Sequence, residues 1–80
     1  MTWRLEWSHA ARFALLTMPW RQAERVDAAV QLFSRTGSGD FRRAADDPTG
    51  GRLRVTPYVV YLTLDRPGHV LWVRYIYRSR

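Results

Sequence analysis

The sequence predicts a single α+β domain over residues 1–80. Its expected architecture is a two-layer β-α-α-β-β-β fold, with an N-terminal helical hairpin packed on a small, mostly antiparallel four-stranded sheet. Three observations predict it. The first residues alternate between apolar and polar, the following stretch has a helical period, and the chain from Arg52 onward is rich in β-branched and aromatic residues. A chain of this length allows one modest core, which two packed layers can supply.

Residues 2–8 form the first predicted strand, because Trp3, Leu5 and Trp7 alternate with polar residues. We expect both tryptophans to pack in the core. Ser8 then suits the N-cap of a short helix over residues 9–18, since its hydroxyl can accept a free backbone N–H of the first turn.

A second helix is predicted over residues 19–35. Pro19 ends the first helix and suits the start of the second, because its φ is fixed near the helical value. Apolar residues then recur along one helical face, at Ala23, Val26, Val30 and Phe33. Gly37 is expected to stop the helix. Trp20, at the corner between the helices, is a candidate contact for a partner.

Residues 36–51 are predicted to be a loop, because glycine, serine, aspartate and proline dominate them. Phe41 is the one large apolar residue there, and we expect it to attach the loop to the core. Three strands should follow, over Arg52–Val55, Tyr58–Leu64 and residues 69–77, with turns between them.

Strict alternation in the last strand has a consequence for its two tyrosines. It places Tyr75 and Tyr77 on the same side as Leu71 and Val73. We therefore expect at least one of the two tyrosines to lie in the core.

The charge pattern favours an anionic partner. The chain has 13 arginines and no lysine against 7 acidic residues, which gives a formal net charge of +6. Arginine stays protonated, so these residues can bind anions but cannot shuttle protons. The sequence has no cysteine and 2 histidines, so we expect no disulfide, no metal site and no cofactor. No apolar run approaches the length of a membrane span, and we expect a cytoplasmic protein.

The order and spacing of three segments resemble the RelE/ParE superfamily of type II toxin–antitoxin toxins. The first is the N-terminal strand that leads into a short helix. The second is the Met18-Pro19 corner, followed by a helix that carries Arg21, Glu24, Arg25, Val26, Ala29 and Val30. The third runs through Arg52-Leu53-Arg54-Val55 and Tyr58-Val59-Val60-Tyr61 to a closing strand that ends Tyr77-Arg78-Ser79-Arg80. The resemblance covers nearly the whole chain.

The resemblance implies a small bacterial toxin that an antitoxin silences. Members either cleave mRNA on the ribosome or poison DNA gyrase. In the ribonuclease branch, the matched catalytic positions are Arg52, Arg54 and Arg78, with Tyr77 as a nearby hydroxyl. The implied phosphate-binding set is Arg52, Arg54, Arg74, Arg78 and Arg80. An acidic antitoxin is the implied protein partner, and the ribosome with its mRNA, or gyrase, is the implied target.

The chain also departs from the ribonuclease pattern. Arginines replace the family's lysines at Arg52 and Arg54, and Val59 replaces a family arginine. General acid–base catalysis contributes about 10²–10⁴-fold, and no obvious side chain supplies it. His69 precedes Arg78 by a strand length of about 30 Å. Three functions therefore stay open: an mRNA endoribonuclease with an incomplete catalytic set, a gyrase inhibitor, and a non-catalytic member that binds RNA or an acidic partner.

Overall fold

The computed structural model describes residues 3–79. Two helices cover one face of a 5-stranded sheet with the strand order β1-β5-β4-β3-β2. The elements in chain order are β1 (Arg4–Trp7), α1 (His9–Thr17), α2 (Trp20–Thr36), β2 (Phe41–Ala44), β3 (Asp47–Val55), β4 (Tyr58–Asp65) and β5 (Val70–Arg78). β1 pairs parallel with β5, and the other neighbouring strands are antiparallel. The predicted α+β class is confirmed. No helix within residues 3–79 is long and apolar enough to cross a membrane.

The helices of the hairpin begin and end within one residue of their predicted bounds, 9–18 and 19–35. The Ser8 hydroxyl accepts the Ala11 N–H at 3.0 Å and caps α1. Pro19 is the N-cap of α2. Gly37 closes that helix in the left-handed conformation, with φ of 74°, and its N–H donates to the Phe33 carbonyl at 2.8 Å. Glycine adopts this φ without steric cost, which is why the helix stops there.

The core lies between the helices and the sheet. Its fully buried members come from both layers, and the largest are Val26, Val30, Leu53, Val60, Leu62, Leu71 and Val73. Leu5 and Trp7 of β1 are partly buried and pack against this cluster, as does Trp3 immediately before the strand. Both tryptophans therefore contact the core, as predicted, although each is only partly buried.

The prediction of a loop over residues 36–51 is wrong from Phe41 onward. Phe41–Ala44 form an additional edge strand, and β3 begins at Asp47, so the sheet has a fifth strand. Glycine in a strand often marks a place where a neighbouring side chain lies against the backbone. A Cβ on Gly51 would overlap the Phe41 ring. The Phe41 ring in turn packs on Phe33, with 4.7 Å between ring centroids, as expected of the residue that attaches this segment to the core.

The strict alternation predicted for the last strand is also wrong, because β5 contains a bulge. Tyr75 lies opposite Tyr61, but the next pair is Val73 with Leu62, so Arg74 has no counterpart in β4. One extra residue reverses the sides to which the following side chains point. Ile76 therefore packs against the core, whereas Tyr75 and Tyr77 are 57% and 44% exposed.

Ser8 holds the bulge in place. Its hydroxyl donates to the Arg74 carbonyl, and its backbone N–H donates to the Val73 carbonyl at 2.8 Å. The Arg74 side chain is fixed on the sheet, since its Nε donates to the Thr63 hydroxyl at 2.9 Å and its guanidinium lies 4.9 Å from the centre of the Trp72 ring. The residue that caps α1 thus also sets the register of β5.

Candidate functional site

The sheet face that the helices leave uncovered carries three of the four predicted catalytic residues. Between β3 and β4, Arg52 lies opposite Tyr61 and Arg54 lies opposite Val59. Between β4 and β5, the same Val59 lies opposite Tyr77. Directly opposed residues project to the same side of a sheet. The intervening β4 residues pack in the core under the helices. Arg52, Arg54 and Tyr77 therefore share the open face.

Two adjoining cavities form a groove across this face. One has a volume of about 550 Å³ and is lined by Asp46, Asp47, Arg52, Tyr61, Thr63, Arg74, Tyr75 and Tyr77. The other has a volume of about 420 Å³ and is lined by Asp40, Arg42, Arg43, Ala45, Arg52, Arg54, Val59, Tyr77 and Ser79. Arg52 and Tyr77 line both cavities, so they lie at the middle of the groove. We call the first cavity the tyrosine end and the second the arginine end.

The arginine end presents guanidinium groups that are available to a ligand. Arg42 lies opposite Arg52 on the edge strand, and its Nε is 3.9 Å from an Asp40 carboxylate oxygen. No side chain within residues 3–79 forms an ion pair with Arg52 or Arg54. A guanidinium can bind two oxygens of one phosphate, so this end is suited to a polyanion.

The tyrosine end contains a hydrogen-bonded network. The Tyr61 hydroxyl donates to Asp47 Oδ2 at 2.8 Å. The backbone N–H and the hydroxyl of Thr49 donate to Asp47 Oδ1 at 3.0 and 2.8 Å. The Tyr75 ring packs on the Tyr61 ring with 5.7 Å between centroids, and the Arg52 guanidinium lies 5.7 Å from the centre of the Tyr61 ring.

This network separates the pKa values of its two titratable groups. The hydrogen bond from Tyr61, followed by those from Thr49, lowers the pKa of Asp47 below its ordinary 3.8. The same hydrogen bond raises the pKa of Tyr61 above its ordinary 10.0. Tyr61 is therefore a neutral donor and Asp47 an anionic acceptor at neutral pH, and Tyr61 cannot serve as a general base there.

The remaining predicted site residues have different positions. Arg74 forms a wall of the tyrosine end. Arg78 lies opposite Tyr58, which is buried and donates its hydroxyl to Gln22 on α2. The register thus assigns Arg78 to the helix-covered side, and it lines neither cavity of the groove. The predicted contribution of Arg80 lies outside the described residues.

Sequence reasoning missed Arg42, Arg43, Asp47, Tyr61 and Tyr75. The first three follow from the missed β2–β3 hairpin, whose signal was the turn-forming Ala45-Asp46 pair between apolar Phe41 and Leu53. The prediction that at least one of Tyr75 and Tyr77 lies in the core is wrong, because nothing in the local sequence marks the bulge.

The two histidines do not approach the groove. His69 lies in the β4–β5 turn, where its ring stacks on Trp3 with 4.6 Å between centroids. His9 begins α1 in the other layer. Within residues 3–79 no group of three or more histidine, cysteine and acidic side chains could hold a metal ion.

Asp47→Asn tests the network at the tyrosine end. The pKa of Tyr61 should fall towards 10.0, because the acceptor that favours its protonated form loses its charge. Asp46→Asn is the matched control and should lower this pKa less, since Asp46 acts on Tyr61 only through its charge. NMR or ultraviolet titration of the tyrosines measures both. If the pKa of Tyr61 is unchanged in Asp47→Asn, the hydrogen bond to Asp47 is not the main reason why that pKa is raised.

The directions of these two pKa shifts also determine how the contribution of Asp47 and Tyr61 to the stability of the fold depends on pH. The folded pKa of Asp47 is lowered, so its contribution is complete above 3.8 and is lost as the pH falls through the lowered value. The folded pKa of Tyr61 is raised, so its contribution is complete below 10.0 and is lost as the pH rises through the raised value.

Comparison with solved structures reveals a common fold despite low sequence identity. The toxin–antitoxin complex RelBE2 from Mycobacterium tuberculosis matches with a TM-score of 0.84 and 14% identity over 99% of this chain and 93% of that chain. The isolated RelE toxin from E. coli matches with a TM-score of 0.80 and 10% identity over 99% and 86%. The chromosomal ParDE system from P. aeruginosa matches with a TM-score of 0.75 and 13% identity over 99% and 98%.

Sequence comparison adds no closer relative. No protein-family model matches the chain, and no curated protein matches it. The structural likeness extends over almost the whole chain and includes toxins of both the RelE and the ParE type. At these identities it establishes the fold alone: this chain has the same fold as these RelE and ParDE structures.

Proposed function

We propose that this chain is the toxin of a type II toxin–antitoxin pair and that it cleaves mRNA on the ribosome through its open sheet face. The observation that carries the proposal is the convergence of Arg52, Arg54 and Tyr77 in one groove. A basic groove with an exposed aromatic hydroxyl is suited to a phosphate backbone, and the RelE-type structures support this role by their shared fold.

The groove is better suited to stabilising the transition state of RNA cleavage than to transferring its proton. Attack by the 2′-hydroxyl on the neighbouring phosphate accumulates negative charge on the phosphate oxygens, which fixed cations stabilise. Arg52 and Arg54 can supply that stabilisation. Neither can accept the proton, because arginine does not deprotonate in proteins. Tyr77 is exposed and lines the arginine end together with both arginines, and the ribosome would supply the in-line geometry of the substrate.

An acidic antitoxin is the proposed protein partner. Several of the matching structures are complexes of a toxin with its antitoxin. On the helical layer of this chain, Phe13, Leu16 and Trp20 are exposed. Leu16 and Trp20 border an open cavity of about 690 Å³ between α1 and α2. Phe13 and Leu16 border a neighbouring cavity of about 480 Å³ on α1. An amphipathic antitoxin helix could bury this apolar surface while its acidic residues offset the net charge of +6.

A gyrase inhibitor is the second candidate, and one observation favours it. The one described groove residue with a raised pKa, Tyr61, stays protonated at neutral pH, and the arginines beside it cannot act as bases. An inhibitor that acts by binding alone needs no general base. The ParDE structure shares the fold over 99% of this chain and 98% of that chain.

Expression of the chain without its partner should arrest bacterial growth, and primer extension should reveal new 5′ ends within translated mRNAs. The double variant Arg52→Ala/Arg54→Ala should lower the cleavage rate by at least about 10²-fold, because it removes the cations that stabilise the transition state. Arg66→Ala, in the exposed β4–β5 turn, removes the same charge outside the groove and should leave cleavage unchanged. Growth arrest with intact mRNA and inhibited supercoiling would favour gyrase, and no arrest would refute a toxin role.

Leu16→Glu tests the antitoxin surface. Leu16 is 78% exposed on α1. A charge at this position should prevent an amphipathic helix from docking, so growth arrest should persist when the antitoxin is co-expressed. Leu32→Glu is the matched control, since Leu32 is 43% exposed on α2 and lines none of the cavities described above. Rescue of the Leu16→Glu variant by the antitoxin would place the interface elsewhere.

A further inference from the structure

The tyrosine end of the groove differs in chemistry from the arginine end. Its volume of about 550 Å³ lies within the range of small-molecule sites. Tyr75 projects into it from the bulge and is 57% exposed, with its ring inclined by 39° to the Tyr61 ring. Exposed aromatic rings on a sheet face are the surfaces on which proteins stack unpaired nucleobases.

The walls of this cavity are held in position before any ligand arrives. Asp47 accepts three hydrogen bonds, one from Tyr61 and two from Thr49, and so fixes the Tyr61 ring. Gly50 leaves room for this pair, because a Cβ at that position would lie 2.6 Å from Asp47 Oδ2. Arg74 is fixed on the opposite side by Thr63. A preformed aromatic wall spares a ligand part of the ordering cost of binding.

The charged side chains that line this end cancel, because two carboxylates face the guanidinium groups of Arg52 and Arg74. This balance favours a neutral base over a phosphate. Asp46 and Asp47 both line the cavity, and their carboxylates repel phosphate while accepting hydrogen bonds from amino groups. The phosphates have a separate place beyond Arg52, at the arginine end, where Arg42, Arg43 and Arg54 lie. A strand laid along the groove would thus place phosphates at one end and an unstacked base at the other.

We propose that the tyrosine end binds one unpaired nucleobase of single-stranded RNA, stacked on Tyr75, and prefers bases that carry an exocyclic amino group. The inference rests on the proposed function, because it concerns RNA in the same groove. Cytosine and uracil have similar ring sizes but differ at C4, where cytosine has an amino donor and uracil a carbonyl acceptor. A carboxylate accepts a hydrogen bond from the first and repels the second.

Fluorescence anisotropy with the full chain and labelled RNAs of about six nucleotides tests this subsite. Oligocytidine should bind more tightly than oligouridine, and both more tightly than an abasic ribose-phosphate chain of equal length and charge. Tyr75→Ala should weaken oligocytidine binding about tenfold and leave the abasic chain unaffected. Tyr75→Phe should retain binding, because stacking needs the ring and not the hydroxyl. Asp46→Asn should reduce the preference for oligocytidine over oligouridine.

Phe13→Ala is the control for the loss of an exposed aromatic ring, since Phe13 lies on the helical layer. It should bind both oligonucleotides as the parent chain does, and thermal unfolding should show that each variant is folded. Equal binding of oligocytidine and the abasic chain, or unchanged binding by folded Tyr75→Ala, would overturn the inference.

The inference and the proposed function fail in different experiments. Base-dependent binding that is lost in Tyr75→Ala, in a protein that neither arrests growth nor cleaves mRNA, would support the subsite and refute the toxin role. Growth arrest with mRNA cleavage, together with binding that ignores the bases, would overturn the subsite and leave the toxin role intact.

Discussion

Ser8 connects the two layers of the domain through one hydroxyl group. The oxygen accepts the Ala11 N–H at the start of α1, and its proton is donated to the Arg74 carbonyl in the bulge of β5. The bulge determines which side chains after Arg74 face the helices. With it, Ile76 packs against the core and Tyr75 is exposed. A register without the extra residue would place that tyrosine under the helices and Ile76 on the open face, because side chains alternate along a strand.

The bulge also determines how charged and aromatic side chains are distributed between the two ends of the groove. The tyrosines that it exposes lie beside the Asp47–Tyr61 hydrogen bond, whereas Arg54 lies toward the opposite end of the groove. Arg52 lies between the two ends and contacts the Tyr61 ring. Two neighbouring cavities with different chemistry can bind the two different parts of a nucleotide chain, and a uniformly basic patch would bind only its phosphates.

The parts of the fold that could be predicted are those in which local signals agree with packing. The α2 helix has a single apolar face, a proline at its start and Gly37 at its end, so periodicity and capping indicate the same segment. The β2–β3 hairpin was missed because Gly50 and Gly51 are typical of loops. They occur in this strand because Phe41 and the Tyr61–Asp47 pair occupy the space that side chains would need. Those contacts come from residues distant in the sequence, so the two glycines themselves do not indicate a strand.

The candidate site, like the fold, could be predicted only where local sequence signals agree with packing. Arg52 and Arg54 alternate with apolar residues on a strand, so their common face follows from the sequence. The exposure of Tyr75 depends on a hydrogen bond from Ser8, far away in the chain, and no period within β5 contains that information. The separation of Arg78 from the groove follows from the same bulge, because the reversed alternation pairs it with buried Tyr58.

The most direct test of this account is an NMR titration of the full chain with a short single-stranded RNA. Ring and amide signals of Tyr61, Tyr75 and Tyr77, together with the Arg52 guanidinium, should shift on binding. The signals of Phe13 and Leu16 on the helical layer should not. Shifts confined to the helices, with the tyrosine signals unchanged, would contradict the claim that the bulge of β5 creates the nucleic-acid face.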